Sequence, residues 1–171
     1  MPRSSRRSML AASLAFPALI APAVAAPPVR DRFLGVWKLI AYQRKSGDGR
    51  VAYPFGEKPV GRITYDAAGR MSAQLMRPGR KSTMAVGVSY ANGTAPDAEL
   101  REAAAGFIAY FGTFDIDEPS TNVIHHVEAC LVPSWVGHDL KRRYRFEGNR
   151  LMLSAVAGTF SVDLIWERDR P

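Results

Sequence analysis

The sequence lacks the features that assign many proteins to a chemical class at once. Of its 171 residues only Cys130 is a cysteine, which excludes an internal disulfide framework and a zinc cage built from cysteines. No apolar run reaches the ~18 uninterrupted residues of a membrane span. Phosphate-binding loops, dinucleotide-binding fingerprints and the Gly-x-Ser-x-Gly nucleophile elbow are also missing from the sequence. We therefore expect a globular protein without an integral membrane span.

Charge is present but is not concentrated in one place. The formal net charge is +7, and its basic residues are scattered along the chain. A nucleic-acid-binding protein usually carries a basic patch or a recognisable motif, and neither is visible here. The composition and length predict one soluble domain with no nucleic-acid partner.

Residues 1–25 have the pattern of a secretory signal peptide. A basic start is followed by a short apolar segment rich in Ala and Pro, and Ala23-Val24-Ala25 fits the cleavage pattern of small residues. Arg6-Arg7 followed by Met9-Leu10 is typical of a twin-arginine export signal. We expect a bacterial protein that is periplasmic or secreted, with a mature domain at 26–171. An ordinary secretory signal that happens to contain Arg-Arg is the alternative.

From residue 33 onward the hydrophobic period is mostly two, which is typical of β-strands. Nine short strands are predicted, mostly joined by turns of hairpin length. In the first strand, alternation places Trp37, Leu39 and Ala41 on one face and Tyr42 on the other. An antiparallel meander of this many strands tends to close, because closure removes exposed edges. The fold class is therefore all-β, an antiparallel barrel of 8–10 strands whose interior can hold one small ligand.

Two segments depart from this period. The stretch 77–96 is polar and aperiodic, and a loop of this length is often a lid or portal. After it, Leu100, Ala104, Phe107 and Phe111 recur at helical spacing, which predicts one α-helix inserted in the barrel.

Several motifs resemble known families. Gly35-x-Trp37 is similar to the pattern that opens the first strand of lipocalins and other calycins. That resemblance implies that Trp37 plugs the closed end of the barrel and that Arg168, in the last strand, stacks on it. Across 33–168 the chain resembles the bacterial and fungal lipocalin-like domain family, through the motifs 53–56, 69–72, 74–76, 110–113, 125–128 and 133–137. The family implies a small calycin-type barrel and a small hydrophobic or amphipathic ligand.

A His-His-Val-Glu segment is the strongest candidate for chemistry. Alternation places His126, Glu128 and Cys130 on one face and His125 on the other, so only one histidine can face the interior. His126 and Glu128 could form a pair for general acid–base catalysis, or a structural polar pair. Metal binding needs three or four convergent ligands, and no metal or other cofactor is predicted.

Arg142 shares its predicted face with Leu140, Tyr144 and Phe146. An inward-facing arginine is costly unless it is paired. We expect it to pair with Glu128 through a shift of one residue in the strand register, or to bind a ligand carboxylate, or to reach water at the barrel mouth. The other candidate polar contacts of a mostly apolar pocket are Tyr144, Tyr65, Gln74, Tyr110 and Trp135.

Three functions remain open from the sequence. The first is an exported protein that binds a small hydrophobic or amphipathic molecule in the barrel. The second is a cofactor-free isomerase or cyclase, which requires His126, Glu128 and Arg142 to converge inside the cavity. The third is a solidly filled barrel that acts through its surface. An internal cavity would separate the third from the other two.

Overall fold

The computed structural model describes residues 27–169. Its elements in chain order are α1 Val29–Phe33, β1 Gly35–Ser46, β2 Val51–Ala52, β3 Val60–Tyr65, β4 Arg70–Met76, α2 Asp97–Ala105, β5 Phe107–Asp117, β6 Asn122–Cys130, a 3₁₀ turn Pro133–Trp135, β7 Asp139–Glu147, β8 Arg150–Ala157 and β9 Phe160–Arg168. No helix within this range is both long enough and apolar enough to cross a membrane.

The strands form a closed antiparallel barrel. From β3 to β9 each strand pairs with the next along the chain, and β1 pairs with both β3 and β9, which closes a ring of eight. The two-residue β2 adds to the free end of β1 and stays outside the ring. The all-β barrel predicted from the period of two is confirmed. The signal-peptide segment 1–25 lies outside the described residues.

Two β-bulges change which side chains face the interior. In β1, Leu39 pairs with Trp166 and Ala41 pairs with Ile165, so Ile40 is an extra residue. In β6 the extra residue is Glu128, between the partners of Phe111 and Gly112. Beyond a bulge the alternation is reversed, because two residues face one partner. Tyr42 therefore lies on the inner face, although strict alternation placed it on the face opposite Trp37. Cys130 packs against the core, although strict alternation placed it on the same face as His126.

A helix and a tryptophan fill one end of the barrel. Phe33, at the end of α1, is fully buried, and its ring contacts those of Tyr65, Phe114, Tyr144 and Phe146. The Trp37 indole donates a hydrogen bond to the Phe33 carbonyl at 2.7 Å.

Arg168 covers the same end, as its predicted stacking requires. Its guanidinium lies 4.1 Å from the centre of the Trp37 ring and donates hydrogen bonds to the carbonyls of Leu34 and Arg32, each at 2.6 Å. These contacts cover the end of the barrel and connect β9 to β1 and to the α1 segment before it.

The predicted inserted helix is present but shorter than its periodicity indicated. It ends at Ala105, and Phe107, Ile108 and Phe111 belong to β5. The pairing of β5 with β4 outweighs the helical spacing, and aromatic residues favour strands. None of the residues of α2 is buried, so the helix lies against the outside of the barrel.

Candidate functional site

The barrel contains a cavity of about 360 Å³ at the end opposite Trp37. This volume lies within the usual range of small-molecule sites. Its polar side chains are few, and most of the wall is aliphatic or aromatic. The lining residues are Tyr42, Leu75, Ile108, Tyr110, Trp135, Leu140, Arg142, Leu153, Ala155, Val156, Ala157, Phe160, Val162 and Leu164. All but Trp135 belong to barrel strands, and the long segment 77–96 contributes none of them.

A buried imidazole lies between this cavity and the closed end. His125 is fully buried, and its Nε2 is 2.9 Å from the Tyr65 hydroxyl. Its Nδ1 is 3.0 Å from the hydroxyl of Tyr110, which lines the cavity. The three side chains form one hydrogen-bonded chain from the core to the cavity wall. The sequence showed that only one histidine can face inward, and the structure identifies it as His125.

Burial determines the protonation states of these three hydrogen-bonded side chains. Desolvation, with smaller contributions from the Arg142 and His126 charges, lowers the pKa of His125 to about 3. Desolvation also raises the pKa of Tyr110 to about 12 and places the pKa of Tyr65 well above its usual value. At neutral pH the imidazole and both phenols are therefore uncharged.

Arg142 brings a positive charge to the cavity wall. It faces the interior with Leu140, Tyr144 and Phe146, as alternation predicted. The predicted pair with Glu128 is wrong, because Arg142 lies opposite Val123. The Pro133–Trp135 turn and the residues that follow it leave Glu128 beyond the end of the β6–β7 pairing.

No other described residue neutralises Arg142. Across residues 27–169 no carboxylate lies within ion-pairing distance of it, whereas several other arginines have acidic partners. Its guanidinium makes one long hydrogen bond, 3.3 Å, to the backbone carbonyl of Lys141.

The remaining predicted pocket residues divide into three groups. Tyr110 and Trp135 both line the cavity, and their rings make an edge-to-face contact with centres 6.0 Å apart. Tyr65 and Tyr144 face inward but pack among the aromatic rings of the closed end. Gln74 lies on the exposed outer face of β4, because Ala73 and Leu75 on either side of it point inward.

The two candidate catalytic residues lie outside the cavity. Glu128 is exposed at the bulge of β6. His126 projects outward, where its Nδ1 is 2.6 Å from Asp139 and its Nε2 is 3.1 Å from Asp115. The hydrogen bond with Asp139 is the main cause of a raised His126 pKa. Neither residue can act on a molecule enclosed in the barrel. Within residues 27–169 no group of three or more His, Cys, Asp or Glu could hold a metal ion.

Among the cavity residues that carry a polar group, Tyr42 is the one that sequence analysis missed. Its inward position depends on the extra residue in β1, and the local sequence around Ile40 contains no glycine or proline that would have signalled a bulge. The bulge in β6 did leave a signal in its partner strand. A Cβ at Gly112 would lie 1.9 Å from the His126 carbonyl oxygen, so only glycine fits there.

A barrel closed at one end, with a mostly apolar cavity at the other, defines a small-molecule-binding β-barrel. The model of the lipocalin-like domain family matches residues 34–168, and the protein belongs to that family. It is 39% identical over 92 residues to a 4'-hydroxy-3'-methoxypropiophenone carrier protein of Aspergillus oryzae, over 50% of this chain and 79% of that protein. A redesigned β-barrel of known structure aligns with 82% of this chain and 95% of its own, at 9% identity and a TM-score of 0.38.

Proposed function

We propose that this protein binds and carries a small hydrophobic or amphipathic molecule in the cavity at the open end of the barrel. The observation that carries the proposal is the 360 Å³ cavity, whose wall is mostly apolar. Membership of the lipocalin-like domain family and a relative named as a carrier protein support ligand binding. That relative's name states a small aromatic ketone as its cargo, and an aromatic cargo for this chain is part of our proposal.

Binding is tested with N-phenyl-1-naphthylamine, an uncharged dye whose fluorescence rises in apolar surroundings. We expect saturable binding with one dye per barrel. Ala155→Phe fills the cavity from its wall and should weaken dye binding at least tenfold, whereas Gln74→Phe places the same ring on the outer face and should not. Equal binding by both variants would place the dye elsewhere and contradict the proposal.

The positions of the acid–base candidates His126 and Glu128 favour ligand binding and transport over catalysis. An isomerase or cyclase was predicted to need His126 and Glu128 inside the barrel, and both lie outside it. The interior imidazole, His125, has a pKa of about 3 and is therefore a weak base at neutral pH.

We also propose that the protein is exported, with residues 1–25 as a twin-arginine signal and Ala26 as the first mature residue. The support is the sequence pattern alone. N-terminal sequencing of protein from the periplasm should begin at Ala26. Replacing Arg6 and Arg7 with Lys should block export, and unchanged export would indicate the general secretory route. Full-length protein recovered only from the cytoplasm would refute export.

A further inference from the structure

In the hydrogen-bonded row Tyr65–His125–Tyr110, the available donors and acceptors determine which group donates in each bond. A neutral imidazole has one N–H donor and one acceptor nitrogen, so it donates to one tyrosine and accepts from the other. The tyrosine that accepts the hydrogen bond from the imidazole N–H keeps its own hydroxyl proton free to donate to a further acceptor. Which tyrosine this is depends on where such an acceptor can be found.

If Tyr65 accepted the imidazole N–H, its own hydroxyl proton would be a buried donor without an acceptor. Its side chain is 1% exposed, and within residues 27–169 its hydroxyl has no hydrogen-bond partner except His125. A buried donor without an acceptor costs about 1–3 kcal/mol. Tyr65 therefore donates to Nε2, and the proton of His125 is on Nδ1, where it is donated to Tyr110. The hydroxyl proton of Tyr110 is then left for an acceptor in the cavity.

Arg142 lies on the same cavity wall. Arg142, on β7, and Tyr110, on β5, both line this cavity, and the hydroxyl of Tyr110 is hydrogen-bonded to His125. The wall otherwise offers mainly aliphatic and aromatic side chains, and no described carboxylate compensates the guanidinium. The cavity wall thus combines a cation and a directed hydroxyl donor, and both of these groups favour an oxygen that carries negative charge.

We propose that the cavity recognises an amphipathic molecule through one oxyanion, a carboxylate or phenolate oxygen held by the Arg142 guanidinium and the hydroxyl proton of Tyr110. This inference rests on the proposed binding function and adds the polar group of the ligand to it. The apolar wall takes the hydrophobic body of the molecule, and the Tyr65–His125 pair acts as a positioning device for the Tyr110 proton.

The ligand class is tested by displacement of N-phenyl-1-naphthylamine with two probes of the same shape, 2-naphthoate and the neutral 2-naphthamide. We expect 2-naphthoate to displace the dye at concentrations at least tenfold lower. Arg142→Met should abolish this preference and leave 2-naphthamide within twofold of its original affinity. Arg143→Met, which removes the same charge from the outer face of β7, should retain the preference.

The failures of the two proposals are distinguishable. A dye that does not bind, or that binds unaffected by Ala155→Phe, contradicts binding in the cavity. If the dye binds in the cavity but both naphthyl probes displace it equally well, carboxylate recognition is wrong and the proposal of ligand binding still stands. Recognition of a phenolate is tested with 6-cyano-2-naphthol at a pH below and a pH above the pKa of its hydroxyl. Its affinity for the protein should be higher at the upper pH, where the hydroxyl is ionised. If neither probe shows a preference for the anion, the oxyanion proposal is wrong.

The position of the proton on the His125 ring can be measured directly. In a His126→Gln, His138→Gln background His125 is the one remaining histidine of the chain. Its ¹⁵N spectrum should show a neutral ring protonated at Nδ1 between pH 5 and pH 8. Tyr110→Phe should weaken 2-naphthoate several-fold without changing the fold, as judged by circular dichroism. A ring protonated at Nε2 would overturn the proposed orientation of the Tyr110 hydroxyl.

Discussion

Replacing Trp37 tests whether the closed end of the barrel stabilises the fold. The indole is 1% exposed. A buried tryptophan removes ~150–250 Å² from water, and at about 25 cal/mol per Å² this corresponds to ~4–6 kcal/mol, part of which alanine would retain. Trp37→Ala also removes the hydrogen bond to Phe33 and the ring beneath Arg168. We expect a loss of about 3–5 kcal/mol in the free energy of unfolding, as for other large-to-small core substitutions.

The assay is urea unfolding monitored by circular dichroism, because fluorescence would change with the removal of a tryptophan. Trp37→Phe keeps an aromatic ring but leaves the Phe33 carbonyl without its donor, and should cost less, about 1–2 kcal/mol. Trp135→Ala is the matched control, since that indole is half-buried on the wall of the open cavity and should cost about 1 kcal/mol or less. A Trp37→Ala midpoint equal to that of wild type, or equal to that of Trp135→Ala, would refute the reasoning.

Three further predictions concern the bulge, an outer ion pair and the long loop. Gly112→Ala should destabilise by about 1–3 kcal/mol in urea, because its Cβ meets backbone, whereas a neutral result would contradict the bulge. The raised pKa of His126 means that its stabilising contact with Asp139 is fully present below pH 6.5 and is lost as pH rises through the folded-state value. His126→Gln should therefore lower the urea midpoint more at pH 6 than at pH 8, and an equal loss would count against the pair. Glu99 accepts hydrogen bonds from Ser82, Thr83 and Tyr90, which hold its pKa at about 2. Glu99→Ala should speed tryptic cleavage in the 77–96 loop several-fold at pH 8, and an unchanged rate would show that the loop does not depend on these bonds.

The sequence determined the all-β class because alternation with a period of two is a local property. A strand with one face buried must place apolar residues at every second position, and turns rich in glycine, aspartate and asparagine mark its ends. The same local rule placed Arg142 on the inner face of its strand. It also limited the interior to one histidine of the His-His pair, although it could not say which.

Only the tertiary structure decided where the alternation breaks and which strands face each other. The extra residues Ile40 and Glu128 reverse the faces of β1 and β6, and this brings Tyr42 to the cavity wall. The register of β7 against β6 left Arg142 opposite Val123 instead of the predicted acidic partner. Registers and bulges depend on contacts between residues far apart in the chain, so no local pattern specifies them. The link from Tyr65 through His125 to Tyr110 joins three strands for the same reason, and it exists only once the barrel has closed.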